Sequence, residues 1–337
     1  MNSKDLKEKP LPKVTFKNIF PPNKDRTYFE NGELIPFRFG SNKFQMVNAW
    51  WLAEASLLAY ADAAFIGEQF NNAGLAEVKL FNGESIQCVV ASNENFIIVS
   101  FRGTQVFKPQ GNEDIRGIIA DFVIDSRFTL VDSGQGGYVH QGFKEGLDQV
   151  WESNDVTEGI RPYLDRVKNQ DSRKRTVWFT GHSLGAALAI LAADRYGSVQ
   201  GLYTFGSPLI GDSDFQNDFH VNTYRFVNNN DIVTRIPPGG IYDPLRIPPL
   251  GRYQHVGALK FIDRDGHIYD NPKLDDNLTD GFFGESAHRF NLLHMFNSLG
   301  RFRPGFLADI PEGFLVDHTP LFYVTHVWNN FVRDLYS

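Results

Sequence analysis

The chain has 337 residues, 42% hydrophobic and 22% charged, with a formal net charge of −7, which is ordinary globular composition and leaves room for one large α/β domain or two small ones with a sizeable core. The acidic balance, with no basic stripe, argues against nucleic-acid binding, and a lone cysteine excludes an internal disulfide. No apolar run approaches the length of a membrane span, and residues 1–10 lack the apolar core of a secretory leader, so the expected location is the cytoplasm, or outside the cell by a route without a cleavable signal peptide.

Residues 1–40 are polar and proline-bearing and predict a surface extension. Residues 49–66 read as one long, mostly buried helix. Strand-like segments follow at 76–80, 85–91 and 95–101, the first two joined at Asn82-Gly83, a strong hairpin signal. Cys88 falls within the second and reads as a buried structural thiol. After Arg102-Gly103-Thr104 comes a polar loop and then a short helix predicted from Asp114 to Asp121. Residues 139–168 look helical, with an interruption near Ser153-Asn154-Asp155 and stress at Pro162. Further strands are predicted at 176–180, 199–205 and 222–227, and a hairpin over 258–269 that turns at Asp265-Gly266. The acidic turn Asp263-Arg264-Asp265-Gly266 is too short for an EF-hand calcium loop. Alternating strands and helices predict a mixed sheet covered on both faces. No linker divides the chain, so one domain is expected over 1–337.

The most informative segment is Gly181-His182-Ser183-Leu184-Gly185, between the apolar stretch Val177–Thr180 and the small-residue run Ala186–Ala193. A G-x-S-x-G turn between strand and helix holds its serine on a tight bend at the end of a central strand. A side chain in place of either glycine would collide with the neighbouring strand or helix. Ser183 would then stand beside a helix N-terminus, whose unpaired N–H groups stabilise an oxyanion. A nucleophilic serine needs a base in hydrogen-bond reach and an acid that orients the base. In α/β-hydrolase topology the order along the chain is Ser, Asp or Glu, His. Asp231, after the strand that ends in Phe226-Val227, stands where the acid should be displayed; a turn aspartate capping its own loop is the alternative.

Together these residues resemble the class 3 lipases, the filamentous-fungal type with bacterial and plant relatives. The matching blocks are Phe101-Arg102-Gly103-Thr104, Val139-His140-Gln141-Gly142-Phe143, Gly181–Ala186, Phe205-Gly206-Ser207-Pro208, Asn230-Asp231-Ile232-Val233 with Pro237 and Pro238, and Tyr253-Gln254-His255-Val256-Gly257. They run in the family's order over about 45–330. The resemblance implies an α/β-hydrolase fold of the class 3 lipase type, with a mixed, mostly parallel sheet flanked by helices and a lid.

By that resemblance Ser183 is the nucleophile, Asp231 the acid and His318, in Asp317-His318-Thr319-Pro320, the base. His326 is the nearest rival and lacks a preceding aspartate. His255 lies in a block that supports the site, His140 in one that is structural, and His182 is the variable residue of the elbow; His220, His267, His288 and His294 read as scaffold. The oxyanion hole is expected from the backbone N–H of Leu184 and, by resemblance, from Thr104. The lid is expected over 105–120, with Ile115, Ile118 and Ile119 as its apolar face and Asp114 as an N-cap. The main departure from the family pattern is an insertion over 270–312, before the base, that could roof the acyl groove, be a structural addition or mediate a dimer.

The implied reaction is hydrolysis of carboxylic esters of lipids through an acyl-enzyme, as a triacylglycerol lipase or carboxylesterase. A phospholipase A1, galactolipase, or short-chain or feruloyl esterase is the alternative within the class, and a non-catalytic lipase-like module the alternative outside it. No cofactor and no metal is expected. The partners expected are a lipid or ester substrate and a transient contact with a lipid interface.

Overall fold

A computed structural model describes residues 6–13, 24–104, 129–170, 174–236, 253–272 and 316–336. The region 105–120, with Ile115, Ile118 and Ile119, lies outside the described residues, as do residues 273–312 of the expected insertion, with His288 and His294.

Ten strands and seven helices can be labelled among the described residues. The strands are β1 (Glu77–Asn82), β2 (Gln87–Ser92), β3 (Phe96–Phe101), β4 (Leu130–Asp132), β5 (Tyr138–His140), β6 (Thr176–His182), β7 (Gly201–Phe205), β8 (Thr223–Asn228), β9 (Ala258–Ile262) and β10 (Ile268–Asp270). The helices are α1 (Met46–Leu58), α2 (Ala63–Asn72), α3 (Gln141–Trp151), α4 (Ile160–Lys168), α5 (Leu184–Tyr196), α6 (Ser213–Asp218) and α7 (Pro320–Tyr336). Eight strands form one sheet in the order β1-β2-β3-β6-β7-β8-β9-β10. The central run from β3 through β9 is parallel, and antiparallel pairs close both edges.

Side chains alternate across the sheet as the two-residue period of a strand requires. Ile98, Trp178, Tyr203 and Phe205 face one core with α1, α2 and α7. Ile97, Val99, Phe101, Val177, Phe179 and Leu202 face a second core with α3, α4 and α5. Both faces are therefore dry, which is why the central strands read as unbroken apolar runs. Helix α1 is tied to the sheet by side chains beneath it. The Ser100 hydroxyl donates to the Ala55 carbonyl at 3.1 Å and Thr180 to the Leu52 carbonyl at 3.1 Å.

Four local outcomes differ from the sequence reading or refine it. The run 49–66 is two helices: α1 ends at Leu58, and Asp62 caps α2 by accepting from the Phe65 N–H at 3.1 Å. An aspartate inside an apolar run competes for backbone donors and starts a new helix. Pro162 causes no break because it is the third residue of α4, in the turn whose N–H groups have no intrahelical acceptor. The turn at Asp265-Gly266 forms with Gly266 at φ +79°. The N-terminal segment buries Leu6, Tyr28, Phe29, Ile35 and Phe37 in the core under α1 and α7. Asn329 on α7 exchanges two hydrogen bonds with the Lys9 backbone, and the Trp328 indole donates to the Lys7 carbonyl at 2.9 Å. The aromatic side chains within this polar segment outweigh its composition, because each brings a large apolar area to the core.

Glu54 of α1 is fully buried and paired with Arg26 of the N-terminal segment. Removing one member strands the other charge in a dry site, which costs about 3–5 kcal/mol. Glu54→Ala is expected to lose stability of that order in urea unfolding, and Arg26→Met with Glu54→Leu to recover most of it. Equal stability of Glu54→Ala and wild type would remove the pair from the account of this core.

Burial pushes the His326 imidazole down to about 4, helped by the Arg333 charge. The unfolded chain, whose histidine titrates near about 6.5, binds a proton that the native ring refuses. The contribution of the neutral ring is full above that pH and is lost as pH falls toward the folded value, with a slope of up to about 1.4 kcal/mol per pH unit. The unfolding free energy of wild type relative to that of His326→Gln, measured at several pH values between 7 and 4.5, should therefore fall as pH falls. Parallel curves would contradict the shift.

Candidate active site

The site begins at the junction of β6 and α5. Gly181 and Gly185 stand where backbones touch: a Cβ on Gly181 would lie 2.2 Å from the Gly185 carbonyl oxygen, and one on Gly185 would lie 2.1 Å from the Phe101 carbonyl oxygen. Nothing larger than hydrogen fits at either position. The bend forces Ser183 to φ 60° and ψ −129°, a region sparsely populated by residues with a Cβ and held only where the surroundings over-determine it. Its N–H donates to the Phe205 carbonyl at 3.0 Å, and its own carbonyl accepts from the N–H groups of Ala186 and Ala187. Leu184 opens α5, at the helix end whose N–H groups have no intrahelical acceptor. Thr104, half-buried, follows Gly103, and the Gly103 Cα is packed against the His182 carbonyl oxygen.

Asp231 follows β8 and caps the 3-10 turn Ile232–Arg235, accepting from the Val233 N–H at 2.9 Å. Both alternatives raised for it from the sequence are thus met in one residue: it caps its own turn and it faces a histidine. His318 Nδ1 lies 2.9 Å from each Asp231 carboxylate oxygen, and His318 Nε2 lies 2.9 Å from Ser183 Oγ. With Nδ1 donating to the carboxylate, Nε2 is the bare nitrogen that can accept the serine proton. Ser183 is 8% exposed and Asp231 fully buried, so the chain of contacts is largely shielded from water.

Several residues that build this geometry had no role given to them by the sequence. The Tyr323 hydroxyl donates to Asp231 Oδ2 at 2.6 Å and accepts from the Asn228 N–H at 3.0 Å. Burial, with the neighbouring Asp231 charge, holds its pKa well above the ordinary value, so the hydroxyl stays a donor. The Asp317 carboxylate accepts from the Asn229 amide at 3.0 Å and the Asn230 N–H at 3.1 Å, and the Asp317 carbonyl accepts from the Asn228 amide at 2.9 Å. The aspartate preceding His318 thereby staples the histidine loop to the aspartate loop. Gly206, at φ +60°, makes room for both: a Cβ there would lie 2.8 Å from Asp231 Oδ2 and 3.1 Å from His318 Nδ1. A tyrosine five residues past a histidine carries no signal that separates it from ordinary packing, and Gly206 stood out only as part of a matching block, with no role attached to it.

The other histidines are elsewhere or otherwise occupied. His326 lies on α7 against Gly266 of the β9–β10 turn, where a Cβ would stand 2.5 Å from its Nδ1. His255 donates from Nε2 to the Thr234 carbonyl at 2.7 Å, bracing the turn after Asp231, and burial with the Arg225 charge keeps it neutral. His140 caps α3 by accepting from the Phe143 N–H, and burial lowers it to about 4. Cys88 is buried, which raises its pKa well above the usual thiol value. Among the described residues, no three His, Cys, Asp or Glu side chains gather as a metal site, and no helix is long and apolar enough to cross a membrane.

The His318–Asp231 contact predicts a low-field imidazole proton in solution NMR of the wild-type protein. That resonance should vanish in Asp231→Ala and persist in His326→Gln. Its persistence in Asp231→Ala would show that His318 has another partner.

The Lipase (class 3) family profile matches residues 98–240. The Rhizomucor miehei lipase is 37% identical over 142 residues, covering 38% of this chain and 36% of that protein. Secreted mono- and diacylglycerol lipase 1 of Fusarium solani is 33% identical over 139 residues, covering 40% of this chain and 39% of that protein. The matched regions thus span less than half the length of these curated relatives. A deletion mutant of the Rhizomucor miehei lipase propeptide complex superposes with a TM-score of 0.50, covering 78% of this chain and 79% of that one at 22% identity, which is a likeness of fold. With the mixed, mostly parallel sheet order, the strand-to-helix elbow at Ser183 and the profile match over 98–240, the chain has the α/β-hydrolase fold and is similar over that stretch to the class 3 lipases.

Proposed function

We propose that the protein hydrolyses carboxylic esters of lipids through an acyl-enzyme. The observation that carries this reading is the unbroken chain Ser183 Oγ, His318 Nε2, His318 Nδ1 and Asp231, each contact at 2.9 Å, at an elbow where the serine is held at positive φ. Ser183 Oγ attacks the ester carbonyl while His318 Nε2 takes its proton. Asp231 holds the ring in the tautomer that leaves Nε2 bare and stabilises the imidazolium that forms. The Tyr323 hydroxyl and the Val233 N–H keep the carboxylate in place. The Leu184 N–H, at the positive end of α5, and Thr104 receive the oxyanion. His318 then passes its proton to the leaving alcohol. Water attacks the acyl-serine with His318 again as base, and the acid is released with Ser183 restored.

The test is a rate profile over p-nitrophenyl esters of rising chain length, with triglyceride emulsion and phospholipid vesicles alongside. Wild type is expected to turn over at least one class of ester, and the preferred class decides between a triacylglycerol lipase, a short-chain esterase and a phospholipase A1. Ser183→Ala and His318→Ala are each expected to lower kcat by about 10⁴-fold or more, because triad members act as a unit. His326→Gln should retain activity. A serine-directed phosphonate should label Ser183 alone. No turnover of any ester by the folded wild-type chain would favour a non-catalytic lipase-like module.

A further inference from the structure

Tyr60 and His182 are buried beside the proposed triad and take no part in the steps above. Tyr60 lies in the turn between α1 and α2, and His182 is the last residue of β6. His182 Nε2 lies 2.7 Å from the His318 carbonyl oxygen. A carbonyl only accepts, so Nε2 carries a proton. Burial, with the neighbouring His318, drives the His182 pKa well below the ordinary value. The ring is therefore neutral and Nδ1 is bare. The Tyr60 hydroxyl, 2.9 Å from Nδ1, must then be the donor.

The Tyr60 oxygen has a second neighbour. Gly103 packs directly against it. A Cβ on Gly103 would stand 2.0 Å from that oxygen and 2.7 Å from the His182 carbonyl oxygen, so Gly103 is closely held between the two. The residue after Gly103 is Thr104, assigned above to the oxyanion. The rings of His182 and His318 lie 4.6 Å apart, tilted by 35°. One hydroxyl thus touches the backbone that leads to the oxyanion residue and, through His182, the backbone that carries the base.

We propose that Tyr60 is a positioning residue that, by donating to His182 and packing against Gly103, fixes the distance between the His318 backbone and the Thr104 backbone; this rests on the ester-hydrolase reading. The base and the oxyanion donors act on opposite ends of the same reacting carbonyl group, and a small misplacement of either weakens transition-state stabilisation more than substrate binding. The loss therefore belongs in kcat, with KM little changed. A purely structural role would instead lower stability and leave the kinetics of each folded site intact.

The experiment measures kcat and KM on the best p-nitrophenyl ester for the full chain, with active sites counted by phosphonate titration so that unfolded protein does not dilute the rate. Tyr60→Phe is expected to lower kcat per titrated site by about tenfold, with KM within about twofold, as the loss of one buried hydrogen bond allows. His182→Phe should lose at least as much. His182→Gln, which keeps an N–H for the His318 carbonyl, should recover activity relative to His182→Phe. Because both residues act through one chain, Tyr60→Phe with His182→Phe should cost no more than His182→Phe alone. An unchanged kcat in Tyr60→Phe, additive losses in the double variant, or His182→Gln no better than His182→Phe would each overturn the proposal while leaving ester hydrolysis intact. A wild type without ester turnover would overturn the ester-hydrolase reading and this inference with it.

Discussion

The close approach of α5 to the ends of β3 and β6 is the constraint on which the rest depends. Gly185 lies against the Phe101 carbonyl and Gly181 against the backbone of Gly185, so helix and sheet meet main chain to main chain. That contact leaves one way for the chain to turn, with Ser183 at positive φ. The strain of such a residue is of order 1–3 kcal/mol. It is offset by the two dry cores, which hold the central strands on one side against α1 and α7 and on the other against α3, α4 and α5. A side chain at either glycine would lift the helix end away and relax the bend.

Around that bend, the site joins segments far apart in sequence. Ser183 and His318 are 135 residues apart, and His318 and Asp231 are 87 apart. Two side chains do not hold such loops together unaided. Asp317, Asn228, Asn229 and Asn230 bind the two loops along their backbones, and Tyr323 reaches from α7 to the acid itself. The arrangement is preorganised in the sense that the polar partners are in place around the carboxylate and need not be recruited.

The histidines show how much of this depends on burial. His140, His182, His255 and His326 are all driven below their ordinary pKa by desolvation, so each is held neutral and used as a directional hydrogen-bonding or packing group. A neutral imidazole with one nitrogen donating must accept at the other. At His182 that rule assigns the direction of a chain of contacts from Tyr60 to the His318 backbone.

The sequence by itself determined what depends on neighbours in the chain. The elbow was legible because glycine is required twice within five residues, and the mixed sheet covered on both faces because strands and helices alternate along the chain. The turn at Asp265-Gly266 was legible from its dipeptide, and by resemblance to the class 3 lipases the aspartate before His318 marked the histidine that the structure brings to Ser183. Tertiary structure decided what depends on partners distant in sequence. The break at Ala59–Asp62 has a local mark in Asp62, which caps the next helix, but only the fold sets Tyr60 of that break beside His182 and Gly103. Tyr60 and Tyr323 are ordinary residues in ordinary local settings and Gly206 was marked only by its motif, and only the fold places them beside His182, Asp231 and His318. The physical reason is range: turns and strand faces are set by sterics within a few residues, whereas hydrogen-bond partners and burial are set by chain segments that meet only after folding.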